Sequence, residues 1–118
     1  MREDKSACYR LIQGVALHQF PYCRVPGCRN KAVAGHHAFP RSRQGTAFNP
    51  KAVISLCLAH HGFAHTEPEM FRPTIESIIG DEYEALRKLS LMEVQFREED
   101  YKRIAAALNK ILDNITYR

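Results

Sequence analysis

Two close pairs of metal-type ligands, Cys23-x4-Cys28 and Cys57-x2-His60, constrain this chain more than any other feature. Zinc takes four ligands at tetrahedral corners, and two pairs on two separate segments can supply them. The turn between the first two cysteines holds Pro26-Gly27, which lets both sulfurs face inward. Cys57 and His60 stand three apart at the start of a predicted helix and so share a face. The competing reading is that these are buried core cysteines. With 118 residues the chain fits one domain with a thin core, which a bound metal would stabilise. It begins with no signal-like apolar stretch and has no run long enough to span a bilayer, so an intracellular location is expected. Thiols stay reduced there, which favours ligands over disulfides. Cys8, the remaining cysteine, falls on an apolar helix face and reads as core.

Histidines form a second constellation. Five of the six fall between His36 and His65. His61 and His65 lie four apart, one above the other on a helix, a spacing that places two imidazoles on one ion. In an extended strand His36 and His37 point to opposite sides, so one can ligate an ion while the other works as a base.

Charge is segregated. From Lys5 to Thr66 there are eight Lys or Arg and no Asp or Glu, while the rest of the chain is net acidic. A cation field of this kind suits DNA or RNA. It also rules out a paired-carboxylate mechanism in this half, so a metal held there relies on His, Cys, Asn, backbone or water.

The order of elements is predicted from periodicity and punctuation. A helix is expected over Asp4–Gln19, with Cys8, Leu11, Ile12 and Val15 inward and Pro21 as its stop. Ala32–Phe39 reads as a strand, 41–50 as a loop, Ala52–Leu56 as a second strand and Cys57–His65 as a short helix. Pro73 can open a turn ending near Gly80, and Asp81 is placed to cap a helix over Glu82–Leu89. Tyr101, Ile104, Ala105, Leu108, Ile111, Leu112 and Ile115 keep one apolar stripe, expected to pack on the first helix and less readily on a second copy. The fold class is therefore α+β, one domain in three segments: an N-terminal helix (1–21), a metal-rich core (22–66) and a helical extension (67–118).

The run His36-His37, Asn49, Leu56-Cys57-Leu58-Ala59-His60-His61 and His65 resembles the HNH endonucleases, the ββα-metal family, over Cys23 to His65, which is under half the chain. The likeness implies a ββα-metal core with a zinc knuckle, flanked by helices as in small phage-type members. By that resemblance His37 is the general base, and His36, His61 and His65 hold one divalent ion such as Mg2+, Mn2+, Ni2+ or Zn2+. Asn49 matches the central Asn and would orient His37 or brace the loop. At least one of Arg41 and Arg43 would grip a phosphate, with Lys31 and Lys51 as weaker backbone contacts. Many members carry Cys where this chain has His60, so His60 and His61 could exchange roles. At about 100° per residue, His60 falls with Cys57 and His61 with His65.

The implied function is metal-dependent cleavage of a DNA or RNA phosphodiester, as an endonuclease or nickase. The alternative is a non-catalytic zinc module that binds nucleic acid. A two-Cys two-His finger is disfavoured because 31 residues separate Cys28 from His60, against about 12 in such fingers. Hydrolysis of a different ester fits the groups but suits the cationic surface less well.

Overall fold

The computed structural model describes residues 2–116 and is an α+β fold, mostly helical, with one small antiparallel sheet. Helix α1 (Arg2–Gln19) opens it, and Cys8, Ile12, Val15 and Ala16 form its buried face. The expected stop is met: the helix ends before Pro21, which has no N–H to continue it.

Strand β1 (Ala34–His37) pairs with β2 (Val53–Leu56), Ala34 opposite Leu56 and His37 opposite Val53. Both are shorter than the sequence suggests. Ala32 gives its N–H to the Pro21 carbonyl at 2.9 Å, pairing with an earlier segment, so the regular strand starts two residues later. Ala52 belongs instead to a 3₁₀ turn (Pro50–Ala52), which Asn49 caps by accepting the Lys51 N–H at 3.0 Å. Between the strands, the expected loop contains one helical turn, α2 (Gln44–Ala47). Its Gly45 lies against the Leu89 carbonyl, a contact that only a residue without Cβ allows.

All four residues of β2 are buried, because helices cover both faces of the sheet. Ile54 and Leu56 face α3 (Leu58–Thr66) and α4 (Pro68–Ile79), packing with Ala64, Phe71 and Ile75. Val53 faces α1 and the last helix, α6 (Glu98–Thr116), packing with Ile12, Val15 and Leu108. Ser55 shares that side and satisfies its hydroxyl on the Ala16 carbonyl at 2.8 Å. Each fully buried Ile, Leu or Phe here contributes about 1.5–3 kcal/mol. The apolar stripe of α6 is covered by α1, as its spacing suggests.

Two expectations for the C-terminal half fail. Pro73 opens no turn; it lies inside α4, which starts at Pro68. Pro68 loses nothing at the first helical position, whereas Pro73 denies the Glu69 carbonyl its helical partner. Burial of Phe71 and Ile75 on either side of it offsets that loss. Asp81 does not cap a helix: it lies in a 3₁₀ turn (Gly80–Glu82), and α5 (Tyr83–Ser90) begins without a side-chain cap. Among the described residues no helix is long and apolar enough to cross a membrane.

Strand β1 is held from outside the sheet by a side chain. The Gln13 carboxamide accepts the Gly35 N–H at 2.8 Å and donates to the Gly35 carbonyl at 2.6 Å, so α1 completes the strand's free edge. This approach needs glycine, since a Cβ at residue 35 would lie 2.8 Å from Val53 Cγ1 and 3.1 Å from Ala16 Cβ. Gly14 is the contrasting case, where an added Cβ would meet Leu112 at an ordinary 3.7 Å. Gly35→Ala is therefore expected to destabilise the protein by about 1–3 kcal/mol in denaturant unfolding. Gly14→Ala is expected to stabilise it by up to about 1 kcal/mol. Equal effects of the two would refute this account of the β1 edge.

Candidate metal centre

Cys23, Cys28, Cys57 and His60 come together, their ligand atoms all within 4.8 Å of one another. All four cysteines of the chain are free thiols. The separations resemble the edges of a coordination tetrahedron. Cys28 and Cys57 sulfurs are 3.9 Å apart, and His60 Nδ1 lies 3.4 Å from Cys23 Sγ and 3.3 Å from Cys57 Sγ. Ordinary zinc bond lengths give edges of about 3.8 Å between sulfurs and about 3.6 Å between sulfur and nitrogen. The set could hold a metal such as zinc.

Local structure explains the arrangement. Cys28 donates its N–H to the Val25 carbonyl, closing the turn through Pro26 and Gly27, whose φ of 84° suits glycine. Cys57 follows β2 directly and caps α3, its sulfur accepting the His60 N–H at 3.5 Å. That amide is the main reason its thiol pKa falls to about 6, with Cys23, Cys28 and His60 side chains adding to it. Burial pushes the Cys23 thiol up instead. The thiolate form that a metal requires is thus more accessible at Cys57 than at Cys23.

One residue further along α3, a second group forms. His36, His61 and His65 place one nitrogen each within 4.8 Å of one another. His61 Nε2 and His65 Nε2 are 3.0 Å apart, and the His36 ring stands edge-on to both, at 5.6 and 5.1 Å between centroids. Burial is the main cause that lowers the His36 pKa to about 4, followed by His65, His61 and His37, so His36 is neutral at pH 7 and open to a cation. Burial lowers His61 too. The helical count for residues 57–65 is met: His60 joins the cysteines and His61 joins His65.

His37 leaves β1 on the other side. Its Nε2 lies 2.8 Å from the Ala47 carbonyl, which can only accept, so Nε2 carries the proton and Nδ1 is the free base. Burial lowers its pKa and Arg41 reinforces this, against the Ala47 hydrogen bond. His36 and His37 nevertheless line one cleft of about 1090 Å³ together with His61, His65, Arg41 and Arg43. The Arg41 guanidinium sits 4.1 Å above the Tyr9 ring, whose hydroxyl donates to the Arg41 carbonyl at 3.2 Å.

Other expected site residues lie elsewhere. Asn49 caps the 3₁₀ turn and so braces the loop; the Ala47 carbonyl, not Asn49, holds His37. Lys51 pairs with Glu82 at 2.8 Å on an exposed surface, and neither it nor Lys31 lines the cleft. The cleft also contains Tyr9, Arg10 and Gln13 of α1 and Arg72 and Arg87 of the C-terminal helices. Sequence reasoning passed over these. Arg10 follows Tyr9 directly beside the apolar face of α1, which was the available signal, but Arg72 and Arg87 carry none. Each pairs with a carboxylate three residues earlier, Glu69 and Glu84.

Comparison with family models, with curated proteins and with solved structures gives no match.

Cobalt(II) added to metal-free protein is expected to give intense thiolate-to-metal absorption in the near ultraviolet. Cys57→Ser should weaken that absorption sharply, and His61→Ala should leave it intact. A chelator should lower the unfolding temperature of the wild type far more than that of Cys57→Ser, since metal binding to such sets contributes on the order of 10 kcal/mol to folding. Absence of the charge-transfer band would contradict the four-ligand assignment.

Proposed function

We infer that the protein is a metal-dependent endonuclease or nickase acting on DNA, with RNA as a further possible substrate, built on a ββα-metal core of the HNH type. In this reading β1, β2 and α3 are the core, and the three cysteines with His60 hold a structural zinc. The observation that carries the proposal is the pairing in one cleft of a base and a cation site. His37 presents an unprotonated Nδ1, and His36, His61 and His65 cluster in the lining of the same cleft.

His37 takes a proton from the attacking water at Nδ1 as the water oxygen bonds to phosphorus. Its Nε2–H stays on the Ala47 carbonyl, which fixes the tautomer and disperses the charge that develops on the ring. The bond from phosphorus to the 3′ oxygen breaks, and solvent protonates that oxygen. His36, His61 and His65 would hold a divalent ion such as Mg2+, Mn2+, Ni2+ or Zn2+. When bound, it supplies Lewis-acid neutralisation of charge on the phosphate and the leaving oxygen. Arg41, steadied over Tyr9, and Arg43 hold non-bridging phosphate oxygens. Asn49 acts at a distance by keeping the turn after α2 in place.

A supercoiled-plasmid assay tests this. With divalent metal the wild type should nick or linearise the plasmid, and chelator should stop it. His37→Ala should cut about 10²–10⁴-fold more slowly while keeping its cobalt–thiolate absorption. If pure wild-type protein binds nucleic acid but cuts none with any of the four metals, the non-catalytic zinc module replaces this reading.

A further inference from the structure

Ahead of β1 the chain forms a second, smaller ribbon that the cleft does not use. Tyr22 and Lys31 form an antiparallel bridge, flanked by hydrogen bonds from Cys23 N–H to the Asn30 carbonyl and from Ala32 N–H to the Pro21 carbonyl, both 2.9 Å. That register makes Tyr22 and Lys31 a non-hydrogen-bonded pair, the kind whose side chains lie closest, while Phe20 just before it closes the last turn of α1 on the Ala16 carbonyl. On the face toward the core Cys23 and Ala32 are buried, although Pro21 and Asn30 at the margin are exposed, while on the other face Phe20, Tyr22 and Val33 are 40%, 62% and 53% exposed.

The outward face therefore carries two aromatic rings that cover no core, and cations surround them. The Arg24 guanidinium lies 3.9 Å over the Phe20 ring, and Arg29 and Lys31 are exposed. Among the described residues no carboxylate forms an ion pair with Arg24, Arg29 or Lys31. The cysteine cluster sits directly beneath, through Cys23 and Cys28, so the ribbon is anchored rather than loose. Exposed rings on a firm base among unpaired cations fit a polyanion with accessible flat faces. A duplex hides its base faces, whereas a single strand offers them.

We propose that this face of the 20–33 ribbon binds a single-stranded nucleic-acid segment. Bases stack on Tyr22 and on the Phe20–Arg24 pair, and Arg29 and Lys31 hold the phosphates. The proposal rests on the reading that the chain acts on nucleic acid, and it adds a contact surface outside the cleft. Six residues of extended chain join Lys31 to His37. The surface therefore stands within about 20 Å of the proposed base, which favours substrates with unpaired nucleotides beside the scissile bond.

Fluorescence anisotropy tests it with one labelled oligonucleotide, as a single strand and annealed to its complement. The His37→Ala protein serves as the starting form, so that cutting does not interfere. Tyr22→Ala should weaken single-strand binding about 10-fold and duplex binding less, and Tyr22→Phe should restore it. A double variant, Arg29→Glu with Lys31→Glu, should weaken both and reduce the salt dependence. Retained cobalt–thiolate absorption shows that each variant is folded. Unchanged single-strand affinity in Tyr22→Ala overturns the proposal, as does an equal loss on single strand and duplex. A Tyr22 effect confined to self-association, measured by light scattering, would make the face a contact between copies and overturn it as well. If the protein binds no nucleic acid, this proposal and the nuclease both fall. If the Tyr22 effect is seen but wild type cuts nothing, only the nuclease falls.

Discussion

The four-ligand cluster of Cys23, Cys28, Cys57 and His60 is the constraint on which the other features depend. It joins three places that no regular hydrogen-bond ladder connects: the turn after α1, the end of β2 and the first turn of α3. Cys23 and Cys57 also sit in the core with Ile54, Leu56 and Phe71, and Cys28 packs against it, so closing the cluster and packing that side of the sheet go together. The Arg24 N–H to the Ser55 carbonyl, 3.0 Å, already ties the knuckle to β2, and a bound ion would add to that cohesion by holding three thiolates and an imidazole that otherwise crowd one another. His61 is the next residue after His60, so fixing the start of α3 also aims His61 and His65 at His36.

The second layer of control comes from helices other than α3. Gln13 of α1 pairs with both polar groups of Gly35, the residue before His36 and His37. The carbonyl of Ala47, at the end of α2, fixes the His37 tautomer. Tyr9 seats Arg41 and is itself held by Gln44, whose other amide atom accepts the Tyr101 hydroxyl of α6 at 3.2 Å. The flanking helices therefore do more than cover the core. Through Gln13, Gln44 and Tyr101 they set the positions of the groups that line the cleft.

Where a local signal was strong, the sequence was readable. The inward faces of α1 and α6 followed from apolar spacing, and the split between His60 and His61 followed from the helical angle. Features decided by tertiary contacts were not readable. Helix α4 runs through Pro73 because Phe71 and Ile75 are buried together, and α2 forms because Gly45 can rest on the Leu89 carbonyl. Nothing local in the sequence announces the ion pair of Lys51 with Glu82, thirty-one positions later. The cation field over residues 5–66 was visible as a sum, but its division between a cleft and an outward ribbon depends on strand register.

The central claim is that adjacent residues of α3 serve two different metal sites. Anomalous scattering from crystals grown with zinc and then soaked with manganese tests it most directly, with data collected at both edges. The account predicts a zinc peak among Cys23, Cys28, Cys57 and His60 and a separate peak, exchangeable for manganese, among His36, His61 and His65. A single ion bridging the two groups, or a disulfide among Cys23, Cys28 and Cys57 with no zinc peak beside it, would contradict it.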